Sequence, residues 1–347
     1  MEFKAPDFTP FPRDAARIAT NLATVYDTWL DAKRARDLLP SSMFWVKRGD
    51  TDYLSVKQTW RDSGSTRGAR STETEAQLAK FLDDATTLDR RIEVSSSEIT
   101  PLVRQYRSQR LPMVATRPGK ILRELDLAGL LGVPLMLVGT NAFAAYQLQW
   151  GRRFPGGVDE TEDIDFTWCD LRGASFAAAT PPPVVHGSPL LRALRAFDPS
   201  FVVNKRKPYQ AVNDEGYEVE LLVAPSQLKN LSSDEVFSPV AGLFEQEWLL
   251  KGEPLRHVAI TQDNKPCSLY VPDPRWMALH KLWLADQPKR NALKRDKDRT
   301  QGHVLLDAAR LFPDVSYPID LNFALELPQE LRDIFLAWCE SRGYQPS

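Results

Sequence analysis

Two acidic pairs in the sequence have a spacing with chemical meaning. Asp163-Ile164-Asp165 falls in a strand-like run over 161–168, and Glu218-Val219-Glu220 in another over 216–223. In a strand, residues i and i+2 project to the same face, so each pair presents two carboxylates together while Ile164 and Phe166 turn to a core. Two carboxylates on one face can hold a hard cation such as Mg²⁺. A different pattern stands upstream. Leu135-Met136-Leu137-Val138 reads as a buried strand and Gly139-Thr140-Asn141-Ala142 as a tight turn starting a helix. A glycine there lets backbone approach a ligand closely. The Thr140 hydroxyl and the free N–H groups of a helix start can hold phosphate.

The elements that must position these residues follow from pattern. An amphipathic helix is expected over 13–39, closed by Pro40, then a hairpin of 43–46 and 52–56 around Arg48-Gly49-Asp50. The run 61–71 reads as a basic, flexible loop, and 72–88 as a helix. The middle alternates: helix 118–131, strand 135–138, helix 140–150, strand 161–168, a Pro-rich loop at 180–183 and a short helix over 188–197. The segments 201–212 and 216–223 read as a hairpin turning at Asn213-Asp214-Glu215-Gly216. After Pro225, strands 258–261 and 268–271 lead into helices from Pro274 onward. No internal repeat is present. The pattern predicts a mixed α/β (α+β) protein around a small sheet. It is organised as a mainly helical region with a hairpin (1–115), a core (116–250) and a second mainly helical region (251–347).

Composition narrows the function classes. Among 347 residues, 44 Lys and Arg face 46 Asp and Glu, a formal net charge of −2, which excludes a globally basic nucleic-acid protein. Local patches are left open. Residues 102–123 hold Arg104, Arg107, Arg110, Arg117, Lys120 and Arg123 without an acidic residue, and 289–299 are also net basic. Such patches suit a phosphate backbone or a solvated helix face. Cys169, Cys267 and Cys339 lie far apart with no C-x-x-C pair, which fits a reduced, cytoplasmic setting. No apolar signal core follows Met1, in keeping with that location. The stretch 127–151 has no charged side chain, but Gly129, Gly132, Pro134 and Gly139 break it into core elements, so no membrane span is expected. His186, His257, His280 and His303 share no metal spacing and read as core or surface residues. Trp276, Trp283 and Phe312 read as core.

Strand–Gly–Thr–helix, then Asp-x-Asp, then a later strand carboxylate is the order found in polymerase-β-type nucleotidyltransferases. VGTNAFAAY (138–146), TEDIDFTWCDLR (161–172), DPSF (198–201), NDEGYEVELLV (213–223), HKLWLA (280–285) and KRDKDRTQ (294–301) together resemble the bacterial stand-alone nucleotidyltransferase-fold proteins related to AbiEii-type toxins of abortive-infection systems. RSTETE (70–75) and KILRELDLAGLLG (120–132) share the likeness. Here 22 residues separate Thr140 from Asp163, Thr140 stands where Ser is usual, and Glu220 where Asp is usual. The resemblance implies a polymerase-β-type core with a small mixed sheet between helical regions. It also implies two-metal nucleotidyl transfer. Asp163 and Asp165 would bridge two Mg²⁺ (or Mn²⁺) ions. Glu220, with Glu218 as its rival, would hold one of them and help activate an acceptor hydroxyl. Gly139 and Thr140 would seat the triphosphate of an NTP, Lys281 and Lys297 would face it, and Asp298 would orient Lys297 or complete the site. The resemblance implies an acceptor that would be RNA, tRNA included, or a protein hydroxyl, with a cognate antitoxin as a further partner class. The alternative is a non-catalytic NTP- or RNA-binding protein of the same fold, such as a toxin–antitoxin component.

Overall fold

The computed structural model of the chain describes residues 6–132, 134–155, 163–169, 188–230 and 242–346. The Pro-rich loop at 180–183 and His186 lie outside the described residues. Two compact units form: Thr20–Gln105, and Met1–Ala19 together with Tyr106–Ser347.

In chain order, β1 (Thr9–Pro10) and α1 (Ala15–Leu38) are followed by β2 (Ser42–Arg48), β3 (Thr51–Lys57), β4 (Ser65–Ala69) and α2 (Thr72–Ser108). β2, β3 and β4 form an antiparallel sheet in which Leu54 and Val56 of the central strand are fully buried. The expected hairpin is present. The expected loop at 61–71 is not, because residues 65–69 pair with β3 as a third strand. Small and polar residues there, Ser65, Thr66 and Gly68, hide an edge strand that has no apolar face of its own. The helix expected to end at 88 runs on to Ser108 through Pro101. A Ser-rich run and a proline disguise it, since a proline inside a helix forfeits one backbone hydrogen bond and crowds the preceding turn, and here the helix continues past it. Ser95 Oγ donates to the Arg91 carbonyl at 2.6 Å, so its hydroxyl is satisfied inside the helix.

The larger unit continues with β5 (Met113–Val114), α3 (Thr116–Leu127), β6 (Leu135–Val138), a 3-10 turn (Thr140–Ala142), α4 (Phe143–Trp150), β7 (Arg152–Arg153) and β8 (Ile164–Trp168). After these come α5 (Pro189–Phe197), β9 (Val202–Asn204), β10 (Lys207–Val212), β11 (Glu218–Val223), α6 (Gln246–Leu249), β12 (Leu255–Thr261) and β13 (Pro266–Val271). The chain closes with α7 (Pro274–Asp286), α8 (Ala292–Leu311), α9 (Leu321–Glu326) and α10 (Gln329–Arg342). Five strands form a mixed sheet in the order β6-β8-β11-β10-β9, with β8 and β11 parallel and the other neighbours antiparallel. The fold is thus the expected mixed α/β. The run expected as one strand over 201–212 splits into β9 and β10, which turn on each other at Lys205-Arg206.

Sequence explains the sheet's two faces. β6 is wholly apolar and wholly buried, and β11 alternates, with Val219, Leu221 and Val223 in the core and Glu218 and Glu220 partly exposed on the other face. One core runs from Ile121 and Leu125 of α3 through Leu137, Phe143, Tyr146 and Phe166 to Met277, Leu279 and Leu305. α7 is held at its start by Asp273, whose Oδ1 accepts from the Arg275 N–H at 2.9 Å with Pro274 in the first turn. The Arg275 guanidinium binds both Asp273 oxygens and the Pro318 carbonyl. α8 lies against α7 at Gly302, where a Cβ would stand 2.6 Å from Leu282 Cγ and 2.7 Å from the Ala278 carbonyl. The uncharged stretch 127–151 is consumed by the end of α3, β6 and α4, and among the described residues no helix is long and apolar enough to cross a membrane.

Candidate active site

Strand register assembles the first row. Val138 of β6 is paired with Asp165 of β8, Asp165 with Glu220 of β11, and Glu220 with Gln210 of β10. Residues paired across a sheet share a face, so Asp165, Glu220 and Gln210 project side by side, with Asp163 and Glu218 two residues along on the same face. Gln210 is fully buried, and its Nε2 donates to Glu218 Oε2 at 2.8 Å and Glu220 Oε1 at 3.1 Å. Asn204 Nδ2 in turn donates to Gln210 Oε1 at 2.7 Å. Gln210 therefore joins the two rivals for the third carboxylate, and it was missed from sequence because nothing marks one glutamine in a strand as the neighbour of two glutamates.

The turn after β6 closes on this row. Gly139 has φ 73° and ψ −156°, a region open essentially to glycine alone. A Cβ there would lie 2.6 Å from Asp165 Oδ2. Asn141 Nδ2 donates to the Asp163 carbonyl at 2.8 Å and ties the turn to the start of β8. Thr140 is 8% exposed, and its hydroxyl accepts from Gln301 Nε2 at 3.2 Å, so it joins the turn to α8.

A cavity of about 220 Å³ opens in front of the row. Gly139, Asp163, Asp165 and Glu220 line it from the sheet side, and His280, Lys281, Arg290 and Lys294 from the helical side. Lys281 and Asp298 are 5% and 2% exposed, so neither is a solvated helix position. Lys281 Nζ donates to Asp298 Oδ1 at 2.8 Å, and Arg290 Nε to Asp298 Oδ2 at 2.7 Å. Asp298 thus binds two cations and sets the position of Lys281. Lys294 Nζ reaches Asp163 Oδ2 at 3.1 Å. Lys297 is outside the cavity lining; burial and the neighbouring Lys281 ammonium push its pKa below the usual lysine value. Lys294 and Arg290 are the cations that sequence reasoning passed over, because a run of alternating charges does not say which members turn inward.

Charge crowding is concentrated at Asp165. Burial, then the Asp163 and Glu220 carboxylates, raise its pKa to about 7 against the pull of Lys281 and Lys294. Perturbation of this kind by burial and like charge in a cleft marks functional sites.

The family model for nucleotidyltransferases matches residues 116–313, more than half of the chain. The chain belongs to the nucleotidyltransferase family. No curated protein and no solved structure matches it. The match spans every expected site residue, from Gly139 of this nucleotidyltransferase to Asp298.

The residues fit a hard divalent cation by donor chemistry: carboxylate oxygens only, crowded enough to keep one carboxyl part-protonated near neutrality. As they stand, they do not converge into a ligand cage, and among the described residues no group of three His, Cys, Asp or Glu is placed to hold a metal. Asp163 is engaged by Lys294 and Glu220 by Gln210. Elsewhere in the nucleotidyltransferase, much of the basic run over 102–123 has partners within the protein. Arg107 donates to Asn264, Arg117 pairs with Glu215 beneath its contact with Tyr217, and Arg123 donates to the Pro266 carbonyl at 2.8 Å. Trp276 is buried, and Trp283 and Phe312 are partly buried against the core.

Proposed function

We propose that the protein transfers a nucleoside monophosphate from an NTP to an acceptor hydroxyl, using divalent cations held by Asp163, Asp165 and Glu220. The observation that carries this reading is the register of Asp165 and Glu220, which with Gly139 line one cavity that has Lys281, Arg290 and Lys294 on its other wall. The cations, when bound, stabilise negative charge on the attacking and leaving oxygens. The bare backbone at Gly139 leaves room for the Asp165 carboxylate to stand against the turn. Lys294 and Arg290 supply positive charge to the triphosphate, and Lys281, fixed by Asp298, contributes to the same field. The acceptor oxygen bonds to the α-phosphorus, its proton passes to Glu220, and the bond to pyrophosphate breaks. Glu218 is the alternative base, since Gln210 holds both.

The acceptor class, RNA or protein, the AbiEii-type kinship and a cognate antitoxin belong to this reading as proposals carried by the resemblance alone. A second reading has one observation in its favour: the carboxylates do not converge on a cation, as expected of a family member that binds NTP and transfers nothing. The test is incubation with each NTP labelled at the α-phosphate, Mg²⁺, and total RNA or cell lysate, followed by separation of RNA from protein. Label in either fraction, lost in Asp165→Asn, supports transfer and names the acceptor. NTP binding without label supports the second reading.

A further inference from the structure

The helical wall of the cavity has a part that phosphate chemistry does not use. Met277, His280, Lys281 and Leu284 occupy one face of α7 at i, i+3, i+4 and i+7, and all four line the cavity. Lys281 is taken by Asp298. His280 is 5% exposed, yet neither Nδ1 nor Nε2 has a hydrogen-bond partner. Gln246, on α6, is 2% exposed, lines the same cavity, and its Oε1 is also unpartnered. Folded proteins pair nearly all buried polar atoms, so two cavity-lining side chains that carry unpartnered ones point to a ligand that supplies a partner. Burial and the adjacent Lys281 ammonium hold His280 neutral, its pKa pushed down to about 3. A neutral imidazole offers one donor and one acceptor.

We infer that this wall is the nucleobase subsite of the donor NTP, with Gln246 Oε1 accepting from an exocyclic amino group and His280 reading the adjoining ring edge. The inference rests on the nucleotidyl-transfer reading above. Leu222 of β11 and Met277 and Leu284 of α7 provide apolar surface for the faces of a ring, and Gln246 and His280 provide polar groups for its edge. A neutral amide and a neutral imidazole are weak partners for phosphate beside Lys294 and Arg290, so the uncharged end of the nucleotide is the part they suit. An acceptor oxygen favours bases that present an amino group, as adenine, cytosine and guanine do, over uracil, which presents carbonyl oxygens.

Dissociation constants for ATP, CTP, GTP, UTP and inorganic tripolyphosphate, measured with Mg²⁺ and no acceptor, test the inference. In the wild-type protein at least one amino-bearing NTP should bind about tenfold or more tighter than UTP, because a site built to hydrogen-bond a group rejects the analogue that lacks it. Gln246→Met should remove most of that gap, and His280→Phe should weaken the favoured NTP, each with tripolyphosphate affinity kept. Retained tripolyphosphate binding also reports that the variant is folded, and if one variant fails that check the other decides. Equal affinity for all four NTPs in the wild type, or a preference that persists in the folded variants, overturns the base subsite while leaving a phosphate site intact. Failure of tripolyphosphate and every NTP to bind removes the nucleotidyl-transfer reading and this inference with it.

Discussion

Gly139 is the residue on which the site depends most directly. Its φ of 73° and ψ of −156° exclude a side chain, and a Cβ would displace the Asp165 carboxylate. Gly139→Ala should cost about 1–3 kcal/mol in stability and lower transfer by about 100-fold through misplacement of Asp165. Urea melts and single-turnover rates measure the two effects, and a variant with full activity would show that the turn does not bear on the chemistry. Asp165 makes the opposite stability prediction. Its carboxyl titrates near 7 in the folded state against an ordinary 3.8, so the fold binds the extra proton between those values. Stability from this group therefore falls as pH rises from about 4 through about 7 and stays low above. Metal-free Asp165→Asn should be more stable than wild type at pH 8, on the order of a few kcal/mol at most, and nearly equal to it at pH 4.5. Loss of stability at both pH values would make Asp165 a structural residue.

At the scale of elements, α7 and α8 decide where the cations stand. Lys281 and Arg290 share the buried Asp298 carboxylate, and Gly302 lets the two helices approach. Asp298→Ala leaves two cations without their counter-charge, and removal of one partner from a buried pair typically costs about 3–5 kcal/mol. Chemical denaturation should show that loss, accompanied by weaker NTP binding as Lys281 loses its anchor. A change below about 1 kcal/mol would place the trio in effectively solvated surroundings. The five-stranded sheet works in the same way for the anions: a one-residue slip of β11 against β8 would turn Glu220 into the core and Val219 into the cavity.

For the whole molecule, acid sensitivity follows from buried imidazoles. Burial, with a neighbouring cation, lowers His257 to about 4 and His280 to about 3 from an ordinary 6.5. The unfolded chain binds these protons first, so stability falls as pH drops from about 6.5 toward those values. Two histidines act against the single opposite slope of Asp165, and the melting temperature should decline from pH 6.5 to pH 4. His257→Gln, which keeps an amide able to reach Gln149 in place of the 2.8 Å contact, should flatten the decline. An unchanged slope in that variant would assign the acid sensitivity to other groups.

Much of this was legible in the residues themselves. The alternation of Glu218 to Leu221 in β11, the apolar run of β6 and the Gly139 turn carry their own local signals, because side-chain period and backbone freedom are properties of short segments. The order of these motifs also pointed to the nucleotidyltransferase family, which the match over 116–313 supports. Edge strand β4 and the second half of α2 were not legible, since their residues have weak propensities that pairing and packing override. Tertiary structure alone decided which charges meet. Asp298 serves Lys281 and Arg290, Lys294 reaches Asp163 across 131 positions of sequence, Gln210 spans Glu218 and Glu220, and His280 lines the cavity without a hydrogen-bond partner. Such pairings depend on strand register and helix rotation, which fix positions to within a few ångströms, whereas sequence specifies only the residue types available to make them.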